Sequence, residues 1–110
     1  MKYYLKKISK QDKTRTFVIN SQAITDFFKL STIKKKNDED SIQIIYPNEK
    51  SPQKIKIIMK QDPRLYIDKG YFNIDDIILF KKRWNNERDL FFYEIFIFKA
   101  NDDRYRDLSM

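Results

Sequence analysis

Alternation dominates the pattern of this chain. In Lys54-Ile-Lys-Ile-Ile-Met-Lys60, Lys54, Lys56, Ile58 and Lys60 share one side of an extended strand, and Ile55, Ile57 and Met59 share the other. That predicts a half-buried strand with a mostly basic outer face. Runs rich in β-branched and aromatic residues recur at residues 2–9, 16–20, 41–46, 65–67, 76–82 and 90–98, and each predicts a strand. One segment has a different period. Ile24, Phe27 and Phe28 lie three and four apart, which predicts an amphipathic helix over residues 22–30 with Ser21 as its cap. Polar breaks separate the runs: a basic loop at 10–15, a charged turn at 34–40, a turn between Pro47 and Pro52, and a break at 61–64. Gly70, the sole glycine, predicts a position of positive φ. Asp75 and Asp76 precede a strand, where Asp commonly caps a turn. Short strands, frequent turns and one clear helix point to a mainly β, α+β domain with one or two short helices. An open barrel sealed at one end by the helix fits better than a parallel α/β sheet. The domain is expected over residues 1–100, with 101–110 a charged tail and a possible linker.

Composition supports a folded core. The chain has 110 residues, 41% of them hydrophobic, with seven Tyr and nine Phe, enough apolar area for one domain. Charge is unevenly distributed. Residues 1–36 hold nine Lys and one Arg against Asp12 and Asp26, a net +8, and the remainder carries −1, matching the overall +7. A basic segment of this kind is the electrostatic footprint expected for a phosphate-bearing partner. Biased codon composition, which inflates Lys, Asn, Ile and Tyr, is the competing explanation.

Several chemistries lack their residues. With no Cys and no His, disulfides, thiolate metal sites and the commonest general base are absent. No acidic residue is followed two positions later by Lys, so the usual metal-dependent nuclease pattern is missing. There is no glycine-rich phosphate loop, and no base to activate a Ser or Tyr. The chain by itself is not expected to be an enzyme, and no catalytic residue, metal or cofactor is assigned. No apolar run reaches the length of a membrane span, and residues 1–20 lack a signal-peptide core, so a cytoplasmic protein with no membrane partner is expected.

Two loops hold side chains suited to reading DNA. Residues 10–15 offer Lys10, Gln11, Lys13, Thr14 and Arg15. Lys supplies point-charge contact to phosphate, Arg can pair bidentately with guanine, and Gln can pair with adenine. The second loop offers Lys60, Gln61, Asp62, Arg64 and Tyr66, with Asp62 able to accept from a cytosine amino group. Lys34, Lys35 and Lys36 are candidates for backbone phosphate. Each segment also reads as an ordinary hydrophilic turn. Trp84, flanked by Arg83 and Arg88, reads as core or rim packing ahead of a base-stacking platform.

The order of these elements resembles the DNA-binding pseudobarrel superfamily. Its members include the B-three domains of plant transcription factors and the N-terminal target- or effector-binding domains of bacterial restriction endonucleases. The resemblance lies in an opening strand, a polar arm at 10–15, a short strand at 16–20 and a helix ending in Phe27 and Phe28. It continues in the closing pair, Asn73-Ile-Asp-Asp-Ile-Ile-Leu-Phe80 and Phe91-Phe-Tyr-Glu-Ile-Phe-Ile-Phe98. Asp75 stands where the family often has Gly, and the family's frequent Trp before the second arm is missing. The resemblance implies a seven-stranded open pseudobarrel of mixed and antiparallel strands. It also implies two loop arms in the major groove of double-stranded DNA, falling on residues 10–15 and 60–66. By that resemblance the chain is the recognition module of a restriction-modification system, with a nuclease domain or partner subunit beyond residue 110. Two other functions compete: a small phage or mobile-element protein that blocks a host nuclease by protein contact, and a single-strand nucleic-acid-binding barrel. Most aromatics alternate within strands, which places them in the core and counts against stacking on bases.

Overall fold

In the computed structural model, which describes residues 2–100, the alternation at Lys54 to Lys60 becomes a strand with Ile55 and Ile57 buried and Lys54 and Lys56 exposed. Seven strands form in all. They are β1 (Tyr3–Lys7), β2 (Phe17–Val18), β3 (Glu39–Ile45), β4 (Gln53–Met59), β5 (Pro63–Leu65), β6 (Ile77–Asn85) and β7 (Leu90–Phe98). They pair in the order β1-β6-β7-β3-β4-β5-β2, all antiparallel except β3 with β7. The sheet curls into a half-barrel, the mainly β architecture expected. Inside lies an apolar core that includes Phe17, Phe27, Phe28, Phe72, Phe80 and Tyr93. Phe27 and Phe28 pack edge to face at 4.8 Å, and Phe28 lies 5.0 Å from the Tyr93 ring. Such ring pairs add about 0.5–1.5 kcal/mol beyond their area.

Three local expectations are corrected. Residues 10–15 are not an open loop: Lys10–Thr14 forms a short helix, α1. Ser9 caps it, its Oγ accepting from Asp12 N–H, while the Asp12 carboxylate accepts from Ser9 N–H, a reciprocal capping box. The second helix, α2, spans only Ser21–Asp26, and Asn20 is its cap, not Ser21. Lys29 takes φ 56° and lets Leu30 N–H reach back to the Ile24 carbonyl at 3.0 Å, closing the turn. Ile24, Phe27 and Phe28 are nonetheless all buried, as their spacing predicted. Gly70 does not have positive φ. It sits in a 3-10 turn, Lys69–Tyr71, where its N–H donates to Asp68 Oδ1. A Cβ there would lie 3.2 Å from that oxygen, so close approach favours glycine here. Positive φ falls instead on Lys29, Asn37, Asn48, Asp75 and Asp89. Asn and Asp tolerate that conformation through their short polar side chains.

The edges β1 and β2 come together without a backbone ladder, and side chains bridge them instead. Lys6 Nζ donates to the Val18 carbonyl and lies 3.2 Å from Asp12 Oδ1. Val18 N–H donates to the same Asp12 oxygen at 3.1 Å. Asn20 N–H donates to the Tyr4 hydroxyl at 3.1 Å. Asp12 is 1% exposed, and hydrogen bonds meet both its oxygens. That satisfaction offsets the cost of burying its charge.

Candidate nucleic-acid interface

Strand direction decides where the two predicted arms lie. β1, β7, β3 and β5 run one way, and β6, β4 and β2 run the other. The α1 segment therefore lies at one end of the sheet, with the Lys69–Tyr71 turn and the Asp75–Asp76 turn. Residues 60–62, 34–37 and the β6–β7 turn lie at the other. Between the arms stands the short β2–β5 ladder, Phe17 against Leu65 and Val18 against Arg64. From the level of Thr16 and Tyr66 to that of Asn20 and Asp62 is four residues, roughly 13 Å at strand rise.

The arms meet beside the β2–β5 ladder. Arg15 and Thr16 face Tyr66 across a shallow hollow of ≈ 220 Å³, with Lys69 on its rim. Tyr66 is 49% exposed, and the Lys56 ammonium lies 5.3 Å from its ring centroid. Arg64 is half-buried, and its Nε is enclosed without a hydrogen-bond partner among the described residues.

The remaining predicted residues divide by what already engages them. Lys10, Gln11, Thr14 and Arg15 are exposed on α1 and its end, although the Thr14 hydroxyl donates to the Lys10 carbonyl. Lys13 turns inward, donating from Nζ to the Lys69 carbonyl at 2.7 Å and the Phe72 carbonyl at 2.8 Å. It is a fastener between α1 and the 3-10 turn. Gln61 and Asp62 are exposed at the tip of the second arm. Lys60 Nζ donates to Asn37 Oδ1 at 2.9 Å, and Asn37 N–H donates to the Met59 carbonyl at 2.7 Å. Those bonds join Lys34, Lys35 and Lys36 to the base of the second arm. The Asp38 carboxylate accepts from Lys34 and Lys35 N–H, which holds its pKa below the usual value and fixes the turn with all three lysines exposed.

The acidic pair is structural in its contacts. Asp76, nearly buried, accepts from Asn73 N–H at 2.8 Å and from Lys99 Nζ at 3.0 Å. Asp75 lies 3.9 Å from Lys7 Nζ. Among the described residues no group of three or more His, Cys, Asp or Glu converges as a metal site, and no helix is long and apolar enough to cross a membrane.

Sequence reasoning missed Asp12, although Ser9-x-x-Asp12 is a capping-box pattern. Trp84, read as core or rim packing, packs edge to face on Phe91 near the end of β6 and is 47% exposed, on the rim and outside the buried core. The signal was the charged stretch after Phe80, which carries β6 beyond the core. Compared with known proteins, the chain matches no family model, no curated protein and no solved structure significantly.

Proposed function

We propose that this protein binds double-stranded DNA sequence-specifically, with residues 10–15 and 60–66 as two arms entering the major groove. In this reading it is the recognition module of a restriction-modification system. One observation carries the reading: the far parts of the two arms, residues 10–15 and 60–62, lie at opposite ends of the β2–β5 ladder, roughly 13 Å apart at strand rise. The B-DNA major groove is about 12 Å wide. A duplex laid across the ladder would meet Arg15, Tyr66 and Arg64 centrally. Lys10 and Gln11 would stand on one side, and Gln61 and Asp62 on the other. The lysines at 34–36 lie beside the second arm, placed for backbone phosphate, a contact that adds affinity without sequence information. The resemblance in element order supports the same function. So does Asp75, whose φ of 72° is a glycine-type conformation at the position where the resembled family often has Gly.

The test is selection from a random pool of methylated and unmethylated duplexes by the purified protein, followed by sequencing. Enrichment of a short motif is expected. Retention that is uniform across sequences and vanishes with salt would reject sequence-specific reading.

A further inference from the structure

The β6–β7 hairpin extends past the core, and its inner face there is aromatic. Trp84 pairs with Phe91 across the ladder, the two rings meeting edge to face at 4.8 Å. Both are large and exposed, Phe91 at 44%. They border a hollow of ≈ 570 Å³ whose lining also includes Lys29, Lys54 and Asp89. That volume falls in the 300–1,000 Å³ range of small-ligand sites. Lys82 holds its ammonium 4.2 Å from the Phe91 centroid and donates to the Phe27 carbonyl. Two lysines, Lys29 and Lys54, thus line the hollow against the single lining carboxylate of Asp89, and the Lys82 ammonium lies over the Phe91 ring.

We propose that this hollow binds one unpaired DNA nucleotide, its base against Trp84 and Phe91 and its phosphate against the lining lysines Lys29 and Lys54. Both rings are nearly half exposed, although the Lys82 ammonium occupies part of the Phe91 surface, so the exposed indole of Trp84 is the larger surface offered to a base. Base–aromatic stacking is sequence-tolerant, and nearby cations add to it. The charge balance selects an anion. Burial, and second to it the neighbouring Lys29 charge, hold the Lys82 pKa below the ordinary lysine value, and a phosphate bound at Lys29 would oppose the second of these. Position fits as well. The β6–β7 turn and residues 60–62 lie at the same end of the sheet, with β7, β3 and β4 side by side between them. The distance is two to three strand spacings, roughly 10–15 Å. A nucleotide displaced from a duplex held by the second arm would lie within reach. The site extends the duplex reading without requiring it.

Trp84 is the sole tryptophan, so its emission reports this hollow alone. The full chain would be titrated with a paired duplex, the same duplex carrying a one-nucleotide bulge, and the single strand. Affinity would be read by anisotropy and occupancy by Trp84 emission. The bulged duplex is expected to quench emission and bind about tenfold tighter than the paired one. Phe91→Ala and Lys29→Gly should each reduce that preference to about twofold or less. Lys29→Gly places glycine at φ 56°, so impaired folding would not explain its loss. Equal affinity for bulged and paired duplexes with unmoved emission would overturn the proposal, as would quenching that survives both variants. Quenching by the bulged or single-stranded probe without any binding of the paired duplex would keep this site and remove the duplex reading.

Discussion

Residues 10–15 carry Lys10, Lys13, Arg15 and one carboxylate, and residues 60–66 carry Lys60, Arg64 and one carboxylate. Their similarity in composition hides a difference in construction. The carboxylate of the first segment, Asp12, is buried at the barrel seam, and one of its cations, Lys13, is fastened to two carbonyls. The carboxylate of the second, Asp62, is exposed at the tip, and its cation Lys60 is tied to a neighbouring turn. The first arm is therefore an integral part of the fold that also presents a polar face. The second is a surface hairpin turn braced from the side. A charge in a sequence becomes available to a partner only after the fold has used what it needs.

Substitutions can break that contrast, and the largest effect belongs to Asp12. Asp12→Ala leaves the Lys6 ammonium beside an unfilled gap, orphans Val18 N–H and removes the carboxylate half of the α1 capping box, and should cost about 3–5 kcal/mol in urea unfolding. Asp62→Ala should leave stability within about 0.5 kcal/mol. Equal losses from the two would abolish the distinction between the arms. Next come the two arginines proposed to read DNA. Arg15→Ala and Arg64→Ala should each weaken duplex binding by about 1–3 kcal/mol, measured on the selected site. Unchanged affinity in both would remove the two-arm arrangement. Smaller is the contrast within the first arm. Lys10→Gln should lower the salt slope of duplex binding by about one, whereas Lys13→Gln should leave the slope unchanged and lower the unfolding midpoint. The smallest effect is expected at Gly70→Ala. The 3.2 Å contact with Asp68 opposes the gain from a stiffer unfolded chain, so the net should fall within about 0.5 kcal/mol in thermal unfolding.

Much of the sheet was legible because its strands alternate. Lys54 against Ile55 and Lys56 against Ile57 set the facing of their strand, and the apolar runs at 76–82 and 90–98 read as strands from their β-branched and aromatic content. What escaped was nonlocal or conformationally ambiguous. Asp12 reads as one more polar loop residue until β1 and β2 are brought together, and only then do Lys6 and Val18 become its partners. Gly70 misled because positive φ is its commonest use, whereas here Asn37, Asn48, Asp75 and Asp89 supply that conformation. Both candidate arms were visible from composition. Their placement on opposite sides of the β2–β5 ladder follows from strand directions that no local pattern encodes. The overhang bearing Trp84 was hidden for a related reason: the expected strand ended at Lys82, whereas Arg83, Trp84 and Asn85 continue the ladder.

The seam between β1 and β2 has a consequence for how this barrel can change. In a barrel closed by backbone ladders, girth follows from strand number and shear, which belong to the whole chain. Here the gap between the edges is spanned by the side chains of Lys6, Asp12 and Tyr4, so it depends on side-chain lengths. Asp12→Glu would add one carbon–carbon bond, roughly 1.5 Å, to that span while leaving every ladder in register. Because Asp12 also anchors the first turn of α1, the same step would swing residues 10–15. Barrel diameter and the aim of a surface arm are geared together through one carboxylate, so small moves in sequence can retune both at once.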